Sequence, residues 1–138
     1  MKVNEYIIKD YFTEYNQRYF GGILPCPEFK IRKSYFTLGY FSCFYDHNYN
    51  MYNCVLTISD RYDYTESQLR DVIVHEMIHY YLAYTGKDIE ITHKKAFKNK
   101  AKELNEKYGL HVTPIVNTEK FKKNPSFTLS YLWALLFC

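Results

Sequence analysis

Three stretches of the chain place apolar side chains at helical spacing. They span residues 4 to about 19, 65 to about 86 and about 92 to 108. Each is followed by a glycine, the residue that most often ends a helix. The second also opens with Thr65 and Gln68 in the spacing of a capping box. Because this second stretch is apolar on nearly every side, it is predicted to be a buried, central helix.

Between the first two predicted helices the periodicity becomes that of strands. Aromatic and β-branched side chains are enriched at residues 29–33, 38–45 and 51–59, and polar turn residues at 46–50 separate the last two segments. Alternate positions of the last segment share one face, as expected of a sheet covered chiefly on one side. The pattern therefore predicts an α+β fold with a three-stranded, mainly antiparallel sheet.

The central helix carries the sequence His75-Glu76-Met77-Ile78-His79, an H-E-x-x-H motif. The two histidines are four residues apart and therefore lie on the same face of a helix, where both can bind one metal ion. Ionisable groups on an otherwise apolar helix are costly to bury without such compensation. Catalytic zinc usually takes three protein ligands, so a third ligand must come from elsewhere in the chain.

His93 is the predicted third ligand, because it begins the inward-facing row of the third helix. That row continues at helical spacing with Phe97, Ala101, Leu104 and Tyr108. A histidine at a helix start can instead be a packing or capping group, and this alternative stays open. Asp71, one turn before His75, is either an acceptor that orients its imidazole or an ordinary surface carboxylate.

Glu76 follows His75 in the sequence but is rotated about a third of a turn around the helix. This offset lets its carboxylate reach a water molecule beside the metal without filling a coordination position. Its expected role is general base: it takes a proton from the attacking water and delivers it to the leaving amine. These groups suit the hydrolysis of a peptide bond with one Zn²⁺ as cofactor.

Charge leaves the class of partner open. The 138 residues are enough for one domain, and a formal charge of +3 neither requires nor excludes an anionic partner. Basic side chains cluster on the outward side of the third helix, at Lys94, Lys95, Lys98 and Lys102. This face is either simply solvated or a contact for nucleic acid, DNA included.

The remaining sequence features bear on location and assembly. The four cysteines form no C-x-x-C pair, which argues against a zinc finger. The first ten residues carry four charges and no apolar run, so no signal peptide is predicted and a cytoplasmic location is expected.

Residues 127–138 form an apolar run too short to span a bilayer as a helix. This run is expected to pack on the domain or to mediate self-association, and a third interpretation is that it covers the cleft.

The chain resembles the SprT-like zinc metalloproteases, the family of the Spartan protease. The resemblance covers residues 4 to 112 and extends beyond the H-E-M-x-H motif. The segments Tyr19-Phe20-Gly21-Gly22-Ile23-Leu24-Pro25 and Leu38-Gly39-Tyr40-Phe41 look like the family's sequences at the corresponding places. Residues 92–98, with His93 four residues before Phe97, are similar to its third-ligand segment.

This resemblance implies a gluzincin-like minimal metalloprotease domain over residues 1–112, followed by a basic and apolar tail over residues 113–138. It implies zinc held by His75, His79 and His93, with Glu76 as the catalytic acid/base. It also implies protein substrates, DNA-associated proteins among them.

The chain departs from the family pattern in two respects. Lys94 stands where many relatives have Gly, and the paired cysteines of the family's C-terminal zinc ribbon are missing. An alternative function of a different class is a catalytically silent, zinc-stabilised module that uses the fold and the basic helix to bind nucleic acid or protein.

Overall fold

The computed structural model describes residues 1–86, 94–116 and 118–124. Their elements, in chain order, are α1 (Glu5–Tyr19), β1 (Glu28–Arg32), β2 (Gly39–Tyr45), β3 (Met51–Ser59), β4 (Tyr62–Asp63), α2 (Glu66–Tyr84), α3 (Lys94–Tyr108), a 3-10 helix (Thr118–Lys120) and β5 (Lys122–Lys123). The α+β class is confirmed. The start of the third helix near residue 92, His93 and the apolar run at 127–138 lie outside the described residues.

Local signals in the sequence set the ends of the helices. The Asn4 side chain accepts a hydrogen bond from the backbone N–H of Ile7 at 2.9 Å, which caps α1. Thr65 and Gln68 make both hydrogen bonds of a capping box at the start of α2. After α1, Gly21 has a φ of +66°, a value that L side chains rarely adopt, so the chain can reverse there. The motif helix therefore begins at the position that its capping signal predicts.

The three-stranded sheet has the order β1-β3-β2. Strand β2 runs antiparallel to β3, whereas β1 runs parallel to β3 on its other side. The sheet is therefore mixed, where the sequence pattern predicted a mainly antiparallel one. The turn at residues 46–50 joins β2 to β3 directly and so requires an antiparallel pair. No such local connection governs the pairing of β1, which is why its direction was not evident from the sequence.

Helix α2 packs against the sheet and against both other helices, and α1 also packs against β1. The α2 side chains Ile73 and Met77 are fully buried, as are Leu56 and Ile58 on the covered face of β3. Aromatic rings join the layers: Phe12 of α1 and Phe41 of β2 both stack on the ring of Tyr80. Because it is packed on several sides, α2 is a rigid support for the side chains of the H-E-x-x-H motif.

The chain after α3 returns to the same core. Val112 is buried, and the Phe121 ring packs against Tyr62 and Tyr64 at centroid distances of 6.2 and 6.0 Å. Strand β5 pairs antiparallel with β4. The domain boundary predicted after residue 112 thus falls inside a stretch that packs on the domain up to Asn124.

No helix in the described parts of the chain is both long enough and apolar enough to cross a membrane.

Candidate metal centre

His75 and His79 project from adjacent turns of α2, with their Nε2 atoms 3.3 Å apart. In a tetrahedral zinc site with Zn–N distances of about 2.0–2.1 Å, two ligand nitrogens are separated by about 3.3 Å. One ligand atom from each of His75, Glu76 and His79 can be chosen so that all three lie within 4.8 Å of one another. The group can therefore hold a metal ion, and its spacing and donor atoms fit zinc.

A backbone carbonyl orients His75. Its Nδ1–H donates a hydrogen bond of 2.8 Å to the carbonyl oxygen of Thr113, since a carbonyl can only accept. This bond fixes the tautomer in which Nε2 presents its lone pair toward His79. Burial lowers the pKa of His75, although the bond to Thr113 acts in the opposite direction. Burial therefore favours the neutral imidazole that a metal ion requires.

Asp71 was predicted to be either the acceptor that orients His75 or an ordinary surface carboxylate, and in the structure the Nδ1 atom of His75 is hydrogen-bonded to the carbonyl of Thr113. Asp71 instead accepts a hydrogen bond of 3.1 Å from Nε of Arg70. The carbonyl of Thr113 lies 38 residues away from His75 in sequence. Because every residue type carries a backbone carbonyl, no residue pattern could have identified this acceptor.

Asn105 of α3 fixes the segment that carries the Thr113 carbonyl. Its side-chain amide donates to the carbonyl of Val112, and its side-chain oxygen accepts from the N–H of the same residue, both at 2.9 Å. Thr113 follows directly and bonds His75. Asn105 is therefore a positioning residue that acts on the metal centre through one backbone segment.

Asn105→Ala is expected to lower the affinity for zinc about 10- to 100-fold, the usual effect of losing an outer-shell partner. It removes both bonds to Val112 and so loosens the carbonyl that holds His75. Affinity is measured by competition with a chromophoric chelator, and the His75 tautomer by ¹⁵N NMR of the metal-free protein. Asn99→Ala, at an exposed position of the same helix, is the control. A purely structural role would lower the melting temperature but leave the tautomer and the affinity unchanged.

Glu76 lies beside the two imidazoles in a nearly closed environment. Its side chain is 5% exposed, and burial raises its pKa to about 8. A Cβ atom on Gly39, the first residue of β2, would lie only 2.9 Å from Cγ and 3.0 Å from Oε2 of Glu76. Gly39 therefore lets the strand approach the carboxylate closely, which explains structurally why a glycine stands at this position.

Phe97 connects α3 to the metal centre. Its ring centroid lies 4.7 Å from that of His75 and 4.8 Å from that of His79. Phe97 is one helical turn from Lys94, where the described part of α3 begins. The first turn of α3 therefore lies close to both imidazoles. The predicted third ligand, His93, directly precedes Lys94 in the sequence.

Two cavities meet at His75. The first, of about 300 Å³, is lined by the side chains of His75, Glu76 and His79, by Gly39 at the start of β2 and by Leu38 just before it. The second, of about 350 Å³, lies between α2 and the segment after α3. Val72 and Val116 line both cavities, as does His75 itself. The sequence pattern predicted the motif but neither cavity, because the residues that line each cavity come from segments distant in sequence.

The basic side of α3 is exposed at Lys95, Lys98 and Lys102. The Nζ atom of Lys102 lies 3.9 Å from Oε1 of Glu106 on the same exposed surface. Lysines on a solvated face and lysines that contact nucleic acid would both be exposed. The exposure does not distinguish the two, and the contact with nucleic acid stays a prediction.

A model of the SprT-like family matches residues 8–124 of the chain. The matched region contains both imidazoles, Glu76, Asn105 and the Thr113 carbonyl, and thus the whole site described above. No curated protein sequence matches the chain.

Proposed function

Because the chain belongs to the SprT-like family, we propose that it is a zinc-dependent metalloendopeptidase that hydrolyses peptide bonds in protein substrates. The observation that carries the proposal is the pair of Nε2 atoms 3.3 Å apart on His75 and His79, beside the buried Glu76. Zinc held there would polarise the substrate carbonyl and acidify the attacking water.

His93 completes the proposed ligand set with His75 and His79. Its place in the sequence supports this assignment, since it directly precedes Lys94 and is four residues before Phe97. Phe97 packs on both imidazoles. Because Phe97 lies against both imidazoles, the described start of α3 is near the metal centre, and His93 is proposed to supply the third nitrogen.

Glu76 is the proposed general base and acid. Its carboxylate accepts a proton from the attacking water and then donates it to the leaving amine, so one group serves both half-steps of hydrolysis. Burial alone disfavours the ionised form of this side chain. An adjacent cation favours that form, so the carboxylate needed for catalysis is compatible with a loaded metal site.

Extended polypeptide is the proposed form of the substrate. Strand β2 is at the edge of the sheet, and among the described strands it pairs only with β3. Its first residue, Gly39, lies against Glu76, so the free edge of β2 leads directly to the catalytic group. An edge strand can bind an extended peptide through backbone hydrogen bonds. Unfolded or loosely folded segments of proteins are therefore the expected substrates.

DNA-associated proteins are proposed as one substrate class, supported by the exposed Lys95, Lys98 and Lys102 along α3. Lys94, the first residue of that helix, is included in the proposed contact. The same lysines would serve the alternative function, a catalytically silent, zinc-stabilised module that binds nucleic acid or protein.

Metal removal tests the proposed function. A chelator is expected to abolish cleavage of a disordered protein, and one equivalent of zinc per chain is expected to restore it. Products are identified by mass spectrometry, with and without single-stranded DNA, and DNA is expected to accelerate cleavage. If the protein binds one zinc ion but cleaves protein no faster than its Glu76→Gln variant, the peptidase proposal is wrong and the catalytically silent binding module is supported.

Gly39→Ala is expected to reduce proteolysis about 10- to 100-fold, because the added Cβ would displace the Glu76 carboxylate and small misplacements of a catalytic group are costly. Zinc binding is expected to be retained, since the three atoms nearest the new methyl group all belong to Glu76 and none to an imidazole. The measurement is kcat/KM beside bound zinc. Ser42→Ala, on the same strand, is the control. Unchanged kcat/KM in Gly39→Ala would show that the close approach has no role in positioning Glu76.

A further inference from the structure

The cavity of about 350 Å³ beside His75 is not used by the chemistry described above. It shares Val72, His75 and Val116 with the cleft that contains Glu76 and His79. An occupant of this cavity would therefore touch a metal-binding imidazole directly. Its volume lies within the range of about 300–1,000 Å³ that is typical of ligand pockets.

The wall of the cavity is mainly apolar. Val72 from α2 and Val112 from the segment after α3 are each 3% exposed, and the Phe121 ring closes another side. The charged side chains that reach the cavity, Asp71 and Lys120, are of opposite sign. Neither an acidic nor a basic occupant is therefore favoured, whereas an apolar one would bury its surface against these walls.

Three residues of the cavity wall, Val112, Thr113 and Phe121, are held in place by contacts of their own. Asn105 holds Val112 through two hydrogen bonds of 2.9 Å, and Thr113 is bonded to His75. The Phe121 ring is packed against Tyr62 and Tyr64. A preformed pocket loses little conformational entropy when it binds, so it can discriminate between side chains by size.

We propose that this cavity is the specificity pocket of the enzyme, which binds a large apolar side chain of the size of Leu, Met or Phe. The occupant belongs to the substrate residue next to the cleaved bond, since the pocket shares the His75 imidazole with the catalytic cleft. This inference rests on the proposed peptidase function and adds a substrate preference to it.

The first test compares peptides that differ only in one residue beside the cleaved bond. Wild-type kcat/KM is expected to be about 10- to 200-fold higher with Leu or Phe than with Ala, the range that apolar pockets achieve. Val116→Phe, which fills the pocket from its shared wall, is expected to lower the ratio of Phe to Ala cleavage. Ile23→Phe, at an exposed position, is the control and is expected to keep the wild-type ratio.

A second test needs neither metal nor turnover. Metal-free Glu76→Gln protein is titrated with N-acetyl-phenylalaninamide or N-acetyl-alaninamide, and the methyl resonances of Val72, Val112 and Val116 are followed by NMR. Saturable shifts with the phenylalanine compound alone support the pocket, and shifts of other methyl groups instead overturn it. Cleavage without preference between Ala and Phe also overturns it, while leaving the proposed function intact. If no peptide is cleaved, the proposed function fails, and the titration still decides whether the cavity binds apolar side chains.

Discussion

Replacing Glu76 by Gln is expected to lower kcat for proteolysis by about 100- to 10,000-fold, the usual contribution of a general base or acid. Gln has nearly the same shape but cannot accept a proton from water at neutral pH. Zinc binding is expected to be retained, because the two imidazoles and the proposed third ligand are unchanged. The measurements are single-turnover cleavage of a disordered protein and zinc content after dialysis.

The same variant is expected to be more stable than the wild type when metal is absent. Burial disfavours the ionised Glu76 side chain, and an uncharged amide removes this charge penalty, so that a net gain of about 0.5–2 kcal/mol is expected. Thermal unfolding in a chelator measures this gain, with the exposed Glu5→Gln as control. Loss of zinc by Glu76→Gln would instead identify Glu76 as a metal ligand, since its oxygen belongs to the same cluster as the two imidazole nitrogens.

His93→Ala is expected to weaken zinc binding by more than about 100-fold, because the variant lacks the proposed third ligand nitrogen. This loss is larger than the loss of about 10- to 100-fold usual for an outer-shell partner. Proteolysis at limiting zinc is expected to fall in parallel. Affinity is measured by chelator competition, and activity is measured at several zinc concentrations.

The matched control is His47→Ala, an exposed histidine in the turn between β2 and β3. His111→Ala provides a second comparison, because His111 lines the larger cavity beside His75. If His93→Ala binds zinc as tightly as His47→Ala does, the third ligand comes from elsewhere in the chain.

Features that depend on neighbouring residues were predictable. Asn4 and the Thr65–Gln68 capping box act within three or four residues, so the starts of α1 and α2 followed from the sequence. The placement of His75 and His79 on one face needs only the pitch of a helix. Strand β3 extends over residues 51–59, as its alternating pattern predicted.

Features that depend on distant pairing were not predictable. The parallel alignment of β1 with β3 and the small β4–β5 sheet bring together segments with no turn of their own between them. The residues after 112 were interpreted as a tail because the family resemblance ends at that residue. Contacts of Phe121 and Val112 with the core, rather than any period, place this segment against the domain.

By itself, the sequence determined the motif, the helix that carries it and the two imidazoles that can bind one metal ion, because helical pitch and end capping are local effects. Only the tertiary structure decided how those groups are used. It supplied the Thr113 carbonyl that sets the His75 tautomer, the close approach of Gly39 to Glu76 and the apolar cavity that His75 and Thr113 line. Each of these three features depends on backbone atoms, or on a space enclosed by residues, from separate parts of the chain. Backbone atoms and enclosed space leave no pattern in the order of residue types.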